Sequence, residues 1–214
     1  RSRGLGDVYK RQGCISLYML SAVRGYVAGE SLWSKGQKDA IYYLHLYVDT
    51  HNPADFEKYQ QAMSVPQGGH RLRIALDQSP PDLNAAREGI LQGGNSAQDV
   101  PSIIWFYRNF HNFSYMHTAI EKWGLGDEYL IELDNLAQDI HRVIAANQAS
   151  ATDEERWEKA ISQINEGVTP AAKAFSDALG EGSRFILQLL IITNVTTALG
   201  LIVLFLLRTP KVLS

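Results

Sequence analysis

Residues 185–207 read FILQLLIITNVTTALGLIVLFLL and contain no charged side chain. About 23 residues of helix extend roughly 35 Å, enough to cross the hydrocarbon of a bilayer. Buried helices of soluble proteins rarely run so far without a charge, so the segment is expected to be a transmembrane helix. Gln188, Thr193, Asn194, Thr196 and Thr197 are polar but uncharged, as is common where membrane helices hydrogen-bond to one another. Arg184 precedes the run, Arg208 and Lys211 follow it, and no acid appears after Glu181. The basic tail suits the cytoplasmic side.

The 214-residue chain as a whole has ordinary globular composition, with 45 % hydrophobic and 20 % charged residues. That excludes an apolar-poor disordered chain. A single Cys excludes a disulfide scaffold. Twenty Lys and Arg against 23 Asp and Glu give a net charge of −3, which offers no basic footprint for nucleic acid.

Residues 1–12, RSRGLGDVYKRQ, resemble translated adapter sequence and are expected to be non-native. The apolar stretch 13–20 that follows is too short to span and reads as the remnant of a first membrane helix.

Between the two ends the apolar residues recur at helical spacing and never alternate with period two. Leu20, Val23, Val27, Ala40, Leu44, Tyr47 and Val48 mark one face of a long helix from about Leu20 to Thr50. Asn52-Pro53 starts a helix expected to end near Ser64, with Pro66 and Gly68-Gly69 as breakers. His70–Gln78 reads as a separate piece. Further helices begin at Ser79-Pro80 and around Asp99-Pro101, the second continuing to Trp123. Gly124 and Gly126 mark a break or a kink. Thr152 and Glu155 form a capping box for a last helix that runs into the apolar segment, bending at Pro170. The expected fold is all-α: an elongated bundle of two long and several short helices, followed by the C-terminal transmembrane helix.

Catalytic signatures are absent. The six His form no HExxH or other metal-binding pair, and there is no phosphate-binding glycine loop. No catalytic residue, metal or cofactor is expected. Two aromatic-polar clusters remain: Trp33, Lys35 and Lys38 with Tyr42 and Tyr43, and Trp105 and Arg108 with His111, Tyr115 and Trp123. Aromatics at helical spacing usually fill a core, but bundle helices also build ligand pockets from such residues. The candidate ligand-binding set is Trp33, Lys35, Lys38, Tyr42, Trp105 and Arg108, with the Trp, Lys and Arg residues expected to share one site. On that expectation, Arg108→Ala abolishes ligand-induced stabilisation.

The segment AGESLWSKGQKDAIYYL (28–44), with LQGGN (91–95) and DVPSIIWFYRNF (99–110), resembles the periplasmic helical sensor region of bacterial transmembrane signalling proteins. The likeness is to the diguanylate cyclase and phosphodiesterase type, with histidine kinases and chemoreceptors similar. It implies an extracytoplasmic sensor at 21–184, a transmembrane helix at 185–207 and a cytoplasmic juxtamembrane start at 208–214. It also implies the bacterial inner membrane, a small-molecule ligand or periplasmic partner protein, and a homodimer. Output activity would belong to a cytoplasmic domain beyond Ser214, and the segment itself would not be an enzyme. A tail-anchored membrane scaffold is the alternative expectation.

Overall fold

The computed structural model describes residues 3–208; the stretch 209–214, expected to begin the cytoplasmic side, and residues 1–2 lie outside the described residues. Within them the chain forms six helices and no strand: α1 (Arg3–Thr50), α2 (Pro53–Asp77), α3 (Leu83–Gln92), α4 (Val100–Phe110), α5 (Ser114–Ala145) and α6 (Ala151–Arg208). Short turns make α1/α2 and α5/α6 into antiparallel hairpins. Each reversal carries a residue in the left-handed region, His51 (φ 54°) and Asn147 (φ 53°). α1 packs against both α2 and α6, α3 folds back on α2, and α4 lies against α1.

Local chemistry sets the helix starts. The Asn52 side chain accepts from the Ala54 N–H at 3.1 Å, with Pro53 in the first turn. Asp82 Oδ1 accepts from the backbone N–H groups of Asn84 and Ala85, at 3.0 and 2.9 Å. For α6 the capping pair is Ser150 and Asp153, two residues before the expected Thr152 and Glu155: the Asp153 N–H donates to Ser150 Oγ and the Ser150 N–H to Asp153 Oδ2. Here the end of the turn at Asn147 decides the start of the helix.

The expected breaks at glycine are not where the chain breaks. α2 runs unbroken through Pro66 and Gly68-Gly69. A proline inside a helix costs about 3 kcal/mol, so tertiary contacts must offset it. Gly68 lies at a close crossing with α3: a Cβ built on it would stand 2.5 Å from the Gly93 nitrogen and 2.7 Å from the Gly89 oxygen. α5 likewise passes through Gly124 and Gly126, and the break falls instead at 111–113. The α1 stripe holds at Ala40, Leu44, Tyr47 and Val48, all buried, but its N-terminal part is shifted by one residue from the expected phase. Met19, Ala22, Tyr26 and Trp33 are buried, whereas Leu20 and Val27 are exposed.

The core runs the length of the bundle, through Leu44 and Tyr47 of α1, Tyr59 of α2, Leu133 and Ile140 of α5, and Ile161 and Val168 of α6. At the far end Phe56 and His141 stack at 3.9 Å and the Tyr47 hydroxyl lies 2.8 Å from His141 Nδ1. At the other end α6 continues without interruption, through Pro170, into the apolar run. Among the described residues this is the one stretch long and apolar enough to cross a membrane, with a mean hydropathy of 2.4 over its most apolar 18 residues; of the run only Leu190 is buried. Residues 12–16 of α1 lie alongside it: Asn194 Nδ2 donates to Ser16 Oγ at 3.2 Å and Gln12 Nε2 donates to Asn194 Oδ1 at 3.4 Å. Nearby Ile15 and Leu17 expose apolar surface.

Candidate functional site

Midway along the bundle all six helices contribute to the lining of a narrow chamber that opens to the surface. Three aromatic residues from three helices form its wall. The Phe175 ring stacks on Trp123 with centroids 5.6 Å apart and planes 14° apart. It meets Trp33 edge-on, at 5.9 Å and 83°. Edge-to-face and offset-stacked arrangements are the favourable ones for such pairs.

Glycines make room for the indoles and fix where they point. A Cβ on Gly69 would lie 3.3 Å from Trp33 Cδ1 and 3.6 Å from Trp123 Cε2. Both atoms are bonded to Nε1, so both indoles lie against Gly69 close to their nitrogens, with Trp123 Cζ2 nearest at 3.0 Å. Gly126 holds the opposite end of Trp33, with Cη2 only 2.7 Å from the Cβ position. Gly69 and Gly126, read in the sequence as breakers, are therefore contact surfaces for Trp33.

The chamber is polar in a specific way. The Nε1 groups of Trp33 and Trp123 are buried with no hydrogen-bond partner, and so is Asn95 Oδ1, all three on lining residues. Leaving a buried donor or acceptor unmatched costs about 1–3 kcal/mol each. Native proteins rarely tolerate this without a ligand or water. Asn95 follows Gly94, whose φ of +84° turns the chain, and its amide rests against Gly29 at 3.1 Å from the Cβ position there. The Glu30 carboxylate, also on the lining, accepts from Ser34 Oγ at 2.8 Å. Tyr26 is already committed, donating to the Ile103 carbonyl at 3.2 Å; burial pushes its pKa well up, and Tyr107 adds to this.

Beside the chamber, an ion cluster ties α2 to α5. Asp127, next to Gly126 and only 2 % exposed at its side chain, accepts at Oδ2 from Arg73 Nε and Nη2, at 3.1 and 2.9 Å. His70, next to Gly69, places Nδ1 3.1 Å from the same oxygen. Asp127 Oδ1 is buried and unpartnered. The cluster fixes the two glycines, and hence Trp33, from the far side.

Of the six candidate residues, Trp33 lines the chamber. Lys35, Lys38, Tyr42 and Arg108 are exposed. Lys35 borders a shallow groove with Asp39 and Lys58, and Tyr42 packs on Tyr43 at 5.1 Å. Trp105 is partly buried against Tyr18, with centroids 5.2 Å apart. Tyr18 and Trp33 lie fifteen residues apart on one helix, about 22 Å, so Trp33 and Trp105 do not share a site. Trp123, grouped with Trp105 in the sequence, is the one joined to Trp33, through Phe175 and Gly69. Phe175 was legible only as part of a core stripe, and Asn95 only as part of LQGGN. The one signal for the chamber was the recurrence of glycine near Trp.

The histidines are individually engaged, as in His45 with Glu158 and His51 with Glu154. No group of three or more His, Cys, Asp or Glu side chains is placed to hold a metal among the described residues. No protein family, curated protein or solved structure matches this chain.

Proposed function

We propose that this chain is the extracytoplasmic ligand-sensing part of a bacterial inner-membrane signalling protein, and that the Trp33–Trp123–Phe175 chamber is its ligand site. The observation carrying this reading is that two indole N–H groups and the Asn95 oxygen, all buried and unpartnered, belong to the lining residues of one chamber whose wall includes α6. The matching ligand is a small molecule offering a carbonyl or carboxylate oxygen to the indoles, a flat or apolar body to Phe175, and a donor to Asn95. Phe175 lies ten residues before the apolar run, about 15 Å along one continuous helix. A ligand that favours one position of Phe175 would shift α6 as a rigid element, toward an output domain in the cytoplasm. Two copies packed through the exposed Thr193 and Thr196 side of the span would suit such a device.

The test is a screen of small carboxylates, amides and amino acids against the chain in lipid nanodiscs, read by melting temperature and indole fluorescence. A hit raises the melting temperature of the wild type and changes its Trp emission, and Trp123→Phe weakens both responses. Failure of every compound, or hits indifferent to Trp123→Phe and Asn95→Ala, would overturn the assignment of the chamber.

A further inference from the structure

A second cavity, distinct from the chamber, opens where the bundle meets the apolar run. It encloses about 640 Å³ to its mouth, between α1, α4, α5 and α6. Its lining carries no charged residue. Of the three hydroxyl-bearing residues on the lining, Tyr26 and Ser183 donate to the carbonyls of Ile103 (3.2 Å) and Leu179 (2.7 Å), and Tyr115 is exposed. Met19, Phe106, Phe110 and Met116 form one side, while Phe185, Ile186 and Leu189, from the apolar run itself, form the other. Phe113, Tyr115 and Phe185 cluster beside it, with Phe185 5.8 and 5.1 Å from the other two rings. Phe113 and Tyr115 are exposed, at 44 % and 39 %. Exposed aromatics at the end of an apolar helix are the usual marker of the membrane–water boundary.

We infer that this cavity holds an acyl chain of a bilayer lipid. The inference rests on α6 lying in a membrane and is independent of the chamber and its ligand. Water gains nothing in an apolar cavity without free polar partners. Because part of the lining belongs to the apolar run, the medium at its mouth is hydrocarbon, and a lipid tail enters without crossing water. Burying its methylenes contributes about 0.8 kcal/mol each only against water, so exchange with bulk lipid is easy and occupancy follows shape. The lodged chain touches Ala178, Leu179 and Gly182, the part of α6 between Phe175 and the span.

The test uses the full chain in nanodiscs containing a phospholipid with a photoreactive diazirine midway along one acyl chain, with labelled residues mapped by mass spectrometry. Met19 and Met116 are buried, 8 % and 7 % exposed, and only a tail inside the cavity reaches them. The expected result is label on Met19, Phe110 or Met116, falling to background in Ala178→Trp, which fills the cavity, and in the milder Ala178→Leu. Label confined to outward-facing Ile191, Val195 and Val203 would overturn the inference while leaving the membrane helix intact. Absence of label throughout 185–207 would remove the membrane reading and this inference together.

Discussion

Gly126 of α5 bears directly on the six-membered ring of Trp33, 2.7 Å from Cη2 when its missing Cβ is built. Trp33 is 3 % exposed and held on its other side by Gly69 and Phe175, so the ring has nowhere to retreat. Gly126→Ala should therefore destabilise the bundle by about 1–2 kcal/mol: overpacking of about 1–3 kcal/mol outweighs the helix-propensity gain of up to about 1 kcal/mol. Gly124, two residues earlier, meets only the Arg73 guanidinium at 3.6 Å. There the propensity term acts alone, and Gly124→Ala should stabilise by about 0.5–1 kcal/mol. Urea unfolding of the two variants, side by side, checks the opposite signs.

Gly68 presents a harder limit. The atoms that a Cβ would meet, Gly93 N at 2.5 Å and Gly89 O at 2.7 Å, are backbone, so only separation of α2 from α3 relieves the clash. Gly68→Ala should cost about 3 kcal/mol and loosen the Gly94–Asn95 turn. Faster amide hydrogen exchange across 83–95 is the signature to measure; exchange at the wild-type rate would show that the crossing is not tight.

The buried Asp127 carboxylate is held by Arg73, which is 16 % exposed at its side chain. Removing one partner of such a pair leaves the other without compensation. Asp127→Ala should cost about 3 kcal/mol, and the double variant with Arg73→Met should recover part of that loss. A double-mutant cycle by chemical denaturation gives the coupling.

The two ends of the pH scale act through different residues. Burial, reinforced by the facing carboxylate of Asp134, raises the Tyr59 pKa far above the ordinary value near 10; burial and the Asp77 hydrogen bond do the same for Tyr107. A group whose pKa is raised by folding contributes stability below its unfolded value and loses it as pH climbs toward the folded one, so the bundle should weaken above about pH 10. Asp55 is lowered chiefly by its hydrogen bond from Lys58, then by that from Thr50; Asp153 is lowered chiefly by its hydrogen bond from Ser150. Their contribution is present above about pH 4 and lost as pH falls through the lowered values. Melting temperature against pH should fall on both sides, and Tyr59→Phe should lessen the alkaline fall.

Ligand variants separate the chamber from the exposed candidates. Arg108→Ala and Lys38→Ala should leave any ligand-induced rise in melting temperature unchanged, since both side chains face solvent. Trp33→Ala should remove that rise and also cost about 3–5 kcal/mol of basal stability. Loss of response in Arg108→Ala would restore the site expected from the sequence alone.

Periodicity and charge were enough to specify an all-helical chain, the Asn52-Pro53 start, the apolar faces of α5 and α6, and the uncharged run 185–207. These are properties of residues three and four apart, or of one continuous stretch, and they need no partner to be seen. Glycine carried two meanings that local reading does not separate. Gly68 and Gly126 read as breaks by conformational freedom, yet they sit inside helices because another chain segment fills the space where their Cβ would be. The site followed the same rule. Trp33, Trp123 and Phe175 are about 50 to 140 residues apart in sequence and meet only because the turns at His51 and Asn147 fold α2 and α6 back beside α1 and α5. Sequence determined which faces must be buried; tertiary structure decided which buried faces meet, because a nonpolar stripe records its need for a partner without naming it.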